Sequence, residues 1–103
     1  MLKTYCFDFD GVICNIDSDD YAERTPIHQT IEIMNSIKNL GGIIIICTGR
    51  HILRRPESQA WLEKYKVPHD LIQFGKPVAD VYIDDKALRI EGTWTQKDIE
   101  YLQ

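Results

Sequence analysis

Five acidic or basic side chains and one hydroxyl stand where stretches of apolar sequence give way to polar ones. Asp8 and Asp10 follow the run Tyr5-Cys6-Phe7, Thr48 follows four isoleucines, Lys76 lies in the turn Gly75-Lys76-Pro77, and Asp84 and Asp85 follow Val81-Tyr82-Ile83. Four carboxylates brought to one place would repel one another by roughly several kcal/mol unless their pKa values rose or a cation joined them. A divalent ion is the simplest remedy. Oxygen ligands without His or Cys nearby favour Mg²⁺, which keeps part of its water shell and takes one or two carboxylates plus a phosphate. Thr48 supplies a hydroxyl donor and Lys76 a positive charge, both suited to the remaining oxygens of a phosphoryl group.

The elements that must position these residues follow from periodicity and breakers. Residues 4–9 form a β-branched and aromatic run ending in Asp10-Gly11, a strand feeding a loop. Residues 17–24 are polar and acidic and read as a surface connection. Thr25-Pro26 has the form of an N-cap and a first-turn proline, and Ile27, Ile31, Met34, Ile37 and Leu40 recur on one helical face. Gly41-Gly42 ends that helix, and Ile43 to Ile46 open a second strand whose unbroken apolar run predicts burial on both faces. Pro56 starts a second helix with Ala60, Trp61, Leu62 and Tyr65 directed inward, and Pro68 stops it. Residues 70–74 and 79–83 are two further strand candidates. Thr95 and Asp98 have the spacing of a capping box for a closing helix.

Strands alternating with helices predict an α/β fold: a three-layer, Rossmann-like, doubly wound parallel sheet in a single domain over residues 1–103. In such sheets ligands lie beyond the carboxyl ends of the strands. That is where Asp8, Asp10, Thr48, Asp84 and Asp85 fall.

Bulk properties remove other classes. A net charge of -4 over 103 residues weighs against binding to a phosphate backbone, so nucleic acid is not an expected partner. The N-terminus has no signal-peptide pattern and the longest apolar run falls far short of a membrane span, which predicts a cytoplasmic chain. Cys6, Cys14 and Cys47 lack paired spacing and a His cluster and are expected to be reduced thiols, with Cys6 and Cys47 buried as small hydrophobes. A thiol phosphatase needs Arg six residues after its Cys, where Val12, Asp20 and Leu53 stand. An EF-hand counted from Asp8 needs Gly sixth and Glu twelfth, where Ile13 and Asp19 stand.

The ordered set Asp8-Phe9-Asp10-Gly11-Val12, Thr48-Gly49-Arg50, Gly75-Lys76-Pro77 and Ile83-Asp84-Asp85 resembles the four-motif signature of the haloacid dehalogenase superfamily in its phosphatase branch. More narrowly, Thr48-Gly49-Arg50 and Ile83-Asp84-Asp85-Lys86-Ala87 resemble bacterial capsule or polysaccharide biosynthesis phosphatases. The resemblance implies a Mg²⁺-dependent phosphohydrolase working through an aspartyl-phosphate. Asp8 would be the nucleophile and Asp10 the general acid that then activates water. Thr48 and Lys76 would orient the phosphoryl group, and the backbone at Gly11 and Gly49 would approach it closely. Mg²⁺ would be held by the Asp8 carboxylate, the Asp10 main-chain carbonyl and Asp84, with Asp85 as a further ligand or a partner behind the ligands.

Arg50, His51, Arg54 and Arg55 read equally as anion-binding residues at the mouth of the site and as a solvated basic loop. His28 and His69 read as surface or capping residues. The chain has no room for the inserted cap domain of many relatives. Its site is therefore expected to be open, admitting a bulky phosphate ester or borrowing a lid from another copy or a partner protein. The resemblance suggests a sugar phosphate. Two rivals stay open: a phospho-accepting receiver, whose Lys would come last in order, and a phosphatase acting on nucleic-acid ends.

Overall fold

The computed structural model describes residues 3–102. A central parallel sheet is built from β1 (Thr4–Phe7), β2 (Ile43–Cys47) and β3 (Leu71–Gln73), in spatial order β1-β2-β3. The register sets Tyr5 beside Ile44, Phe7 beside Ile46, and Ile46 beside Ile72. The connections carry α1 (His28–Asn39) and α2 (Arg55–Lys64), and the chain closes with α3 (Gln96–Tyr101). Short 3-10 turns at Tyr21–Glu23 and Ile52–Arg54 lie on the way.

Local chemistry accounts for the element boundaries. Gly41 takes φ +86° and Gly42 N–H donates to Ile37 O, which closes α1 and turns the chain into β2. Pro56 occupies the first turn of α2, where its missing N–H costs nothing. The expected capping box forms at α3: Asp98 N–H donates to Thr95 Oγ1 and Thr95 N–H to Asp98 Oδ2. The expected cap at Thr25 does not. The Thr25 hydroxyl instead donates to Asp17 Oδ2 at 2.5 Å, and α1 begins at His28 with Ile27 as an N-cap that lends no side-chain hydrogen bond.

The sheet buries one face. Phe7, Ile44 and Ile46 pack with Ile31, Met34 and Ile37 of α1, and Phe9, Ile13, Trp61, Leu62, Val67 and Trp94 complete the core. Trp61 is buried and Tyr65 packs against it, as their helical positions predict. On the opposite face Cys6 is exposed, Ile43 is 37% exposed, and Ile45 and Cys47 are half-buried. The expectation that the isoleucine run is covered on both sides, and that Cys6 is buried, is therefore corrected. The reason is topological: a sheet that grows in one direction through right-handed crossovers receives both helices on the same face. A doubly wound sheet requires a strand on the far side of β1, where the direction reverses.

That strand is the second correction. Residues 79–83 form no strand among the described residues, although their composition suits one. Val78, Val81, Tyr82 and Ile83 are 88, 71, 49 and 98% exposed. Lys76 N–H is tied to Thr48 O at 2.9 Å, past the end of β2, so only Pro77 and Val78 separate a fixed point at the top of the sheet from Ala79. A parallel return demands a crossover of about a dozen residues or more. The observed architecture is thus a small α/β unit with a three-stranded parallel sheet and three helices, compatible with a Rossmann-like fold.

Candidate active site

Asp8 is the first residue past β1 and sits partly exposed at the carboxyl edge of the sheet. Its Oδ1 accepts the Phe9 N–H at 2.8 Å, and its Oδ2 lies 3.7 Å from Lys76 Nζ. Lys76 is brought there by its backbone bond to Thr48 O and by the adjacent bond from Gly75 N–H to Arg50 O. Its ammonium also lies 4.4 Å from the centre of the Tyr82 ring. The strand ends that carry Asp8, Thr48 and Lys76 therefore meet at one edge.

The turn after Asp8 is wound tightly around one carbonyl. Phe9 O accepts from the N–H groups of Val12, Ile13 and Cys14, and Gly11 adopts φ +87°, a conformation that penalises any Cβ. Thr48 is fully buried, with its Oγ1 accepting the Arg50 N–H at 3.1 Å. Gly49 is exposed beside it, and a Cβ there would come within 3.3 Å of Val78 and 3.4 Å of Lys76 O. A side chain at this position would need only a small shift of the exposed Val78 side chain.

Asp10 takes a different environment from Asp8. Its Oδ1 receives Arg50 Nη2 at 2.6 Å and Arg24 Nη1 at 2.7 Å, its Oδ2 receives Arg50 Nε at 3.0 Å, and Cys14 Sγ donates to it at 3.3 Å. Burial alone would raise the Asp10 pKa, but the Arg50 hydrogen bonds and charge, with help from Cys14 and Arg24, hold the carboxyl below the usual range. The same surroundings push the Cys14 thiol up to about 12, through burial first and the Asp10 charge second.

Arg50 is 3% exposed, so it does not stand at the mouth of the site with His51, Arg54 and Arg55. Its guanidinium lies between the rings of Phe9 and Tyr21, at 3.9 and 4.0 Å from their centres, and its Nη1 donates to Ser58 on α2 at 2.9 Å. Arg24 also stacks on Tyr21, at 4.7 Å, and donates through Nε to Ser18 O. Trp61 Nε1 in turn donates to Arg24 O at 2.8 Å. The acidic connection 17–24 is thus organised around a buried arginine and an aromatic ring. Tyr21 and Arg24 escaped the sequence reading, whose one available signal was an arginine and a tyrosine set among acidic residues.

The expected metal ligands are only partly assembled. Asp84 lines the same cavity as Asp8, Lys76 and Lys86, a space of about 760 Å³ that runs along the outer side of β1 toward Leu88, Ile90 and Trp94. Asp84 and Asp85 are exposed, with Asp84 Oδ1 accepting the Lys86 N–H at 2.7 Å. Among the described residues no three His, Cys, Asp or Glu side chains converge as a metal site. The donor set suits Mg²⁺ in kind and falls short in number within one chain.

No family model matches the sequence, and no curated protein matches it. Solved structures do. A Vibrio cholerae crystal structure is similar at 29% identity over 98% of this chain and 96% of its own, with a TM-score of 0.81. A chain of the Pnkp1/Rnl/Hen1 complex shares the fold at 21% identity and TM-score 0.65, over 82% of this chain and 31% of that one. A second structure, of the Pnkp1/Rnl/Hen1 RNA repair complex, gives 20% identity and 0.64, over 79% and 28%. This chain spans less than a third of those two. No helix among the described residues is long and apolar enough to cross a membrane.

Proposed function

We propose that the chain is a phosphatase with a haloacid dehalogenase-like fold, cleaving a small phosphate monoester by attack of Asp8 on phosphorus. The observation that carries this reading is the pairing of a strand-end carboxylate with a lysine, Asp8 Oδ2 to Lys76 Nζ at 3.7 Å, at the rim of an open cavity. Asp8 is partly solvent-facing and paired with Lys76, so its carboxylate can be approached from the cavity. Lys76 is near enough to draw a phosphoryl oxygen toward the attacking carboxylate.

Asp10 supplies the proton-transfer group of this reading. An ionised Asp10 in the Arg24 and Arg50 clamp is poised as a base for the water that breaks down an aspartyl-phosphate. Protonating the leaving oxygen in the first step requires the carboxyl to turn out of that clamp, where the arginines hold it ionised, and to take up a proton from solvent at the cavity. Having given that proton to the leaving oxygen, it takes the next one from water. Thr48, buried and held against Arg50 N–H, fixes the loop whose backbone faces the phosphoryl group. A magnesium ion bound by the Asp8 carboxylate, the Asp10 carbonyl and Asp84 would neutralise charge on the phosphoryl oxygens.

The open cavity suits a sugar phosphate or related metabolite. The fold shared with chains of an RNA repair complex makes a phosphorylated nucleic-acid end the second candidate, although a net charge of -4 offers little attraction to a polyanion. Release of phosphate from a panel of phosphorylated metabolites and 3′-phosphorylated oligonucleotides, with and without Mg²⁺, tests both. Turnover of a metabolite, absent in Asp10→Asn, is expected. Equal inertness of every substrate would defeat the reading.

A further inference from the structure

We infer that two copies of this chain exchange their C-terminal parts, so that residues 79–83 of one form the missing fourth strand on β1 of the other and deliver Asp84 to the partner's Asp8. The inference rests on the proposed phosphatase reading for the role of Asp84, and on the fold alone for the exchange.

Three observations meet here. The outer edge of β1 pairs with no strand among the described residues, and a cleft lined by Thr4, Cys6 and Asp8 runs beside it. An exposed parallel edge is a template for another strand. Residues 78–83 have a strand's composition, yet Val78, Val81, Tyr82 and Ile83 lie exposed. An apolar run left in water beside an open edge of the same chain is a pairing unsatisfied on both sides. The third is reach. Lys76 is held at Thr48 O, past the top of β2, and a parallel strand outside β1 must begin near the bottom of the sheet. That point is about 13 Å down and two strand spacings, about 10 Å, across. From Lys76 to Ala79 the chain spans at most about 11 Å. Residues 79–83 therefore cannot start a parallel strand at the bottom of their own β1, although Asp84 and Leu88 of the same chain line the cleft beside it.

A second copy removes that limit, because the link from Gly75 to Val78 then has only to cross between two molecules, as in exchanges hinged on a short loop. Placing residues 80–83 beside Thr4–Phe7 in parallel register sets Asp84 level with Asp8 and Tyr82 level with Cys6. The contacts that Trp94 makes with Phe7 and Thr30 pass unchanged to the partner. The sheet then reverses direction at β1, and the acidic set that falls short within one chain is completed between two.

Three measurements test this on the full chain. The wild-type protein should have a solution mass twice the 12.0 kDa of one chain. A monomer overturns the exchange. In a Cys47→Ser background, Tyr82→Cys should oxidise with the exposed Cys6 to give a covalent dimer on a non-reducing gel, lost again in Cys6→Ser. A monomeric product, whether internally bridged or free, contradicts it. Finally, Asp8→Asn and Asp84→Asn chains unfolded together and refolded should recover about a quarter of wild-type turnover, because half of the dimers are mixed and each mixed dimer holds one intact site. Separately refolded variants should stay inactive. No recovery from the mixture would refute delivery of Asp84 across the dimer, while an inactive wild-type protein alongside a covalent dimer of the Tyr82→Cys variant would refute the phosphatase reading and leave the exchange standing.

Discussion

The two carboxylates of Asp8-Phe9-Asp10 are separated by their partners. Asp8 has one lysine at 3.7 Å and a backbone N–H, while Asp10 has two arginines and a thiol. Removing the buried Arg50 leaves Asp10 with Arg24 as its remaining cation and Ser58 without its partner. Arg50→Met should therefore lower stability by about 2 kcal/mol in urea unfolding, short of the loss for a fully unpaired buried charge. Arg54→Ala, which removes an exposed pair with Glu57, should change it by less than about 0.5 kcal/mol. The depressed Asp10 pKa contributes stability that is present above its unfolded value of 3.8 and is lost as pH falls through the lower folded value. Asp10→Asn should flatten that part of the acid unfolding profile, and an unchanged profile would remove Asp10 from the account. Cys14 has the opposite sign: its thiol, neutral up to about 12, adds stability below the unfolded pKa of 9.0 that disappears as pH rises toward 12. At neutral pH a thiol reagent should label Cys6 quickly and Cys14 only on unfolding. The types and order of Asp8, Thr48 and Lys76 were legible in the sequence because Asp8 and Thr48 each follow an apolar run and Lys76 sits in a glycine-proline turn. The clamp on Asp10 was not, because its second arginine comes from a connection whose composition looks like solvated surface.

At the scale of elements, periodicity placed α1, α2, β1, β2 and β3 within a few residues of where they form. It overreached where a pattern had to choose a partner. Ile43 to Ile46 read as a strand covered twice, yet only Ile44 and Ile46 are fully buried. Ile44→Ala should cost about 3 kcal/mol in denaturant unfolding, as a cavity in a packed core does, and Ile43→Ala less than about 1 kcal/mol. Similar losses at both positions would mean that the second face is covered. The cap at α3 makes a smaller claim: Thr95→Ala should cost about 1 kcal/mol. Residues 79–83 have the composition of a strand without the connection that would let it pair at home. Composition reports what a segment would bury, and only chain length between fixed points reports where it can go.

For the whole molecule, direction of sheet growth is the governing fact. Three strands laid down in one direction leave a partly uncovered face, an open edge and a cavity beside Asp8 among the described residues. A chain of this size has little core to spare, so covering that edge affects stability as well as the site. The central claim remains the chemistry assigned to Asp8, and the most direct measurement is mass analysis of peptides from enzyme quenched in acid during turnover of p-nitrophenyl phosphate with Mg²⁺. A phosphoryl group is expected on the peptide containing Asp8, with no adduct and a loss of turnover of about 10³-fold or more in Asp8→Asn. A phosphoryl group on another residue, or hydrolysis that persists in Asp8→Asn, would contradict it.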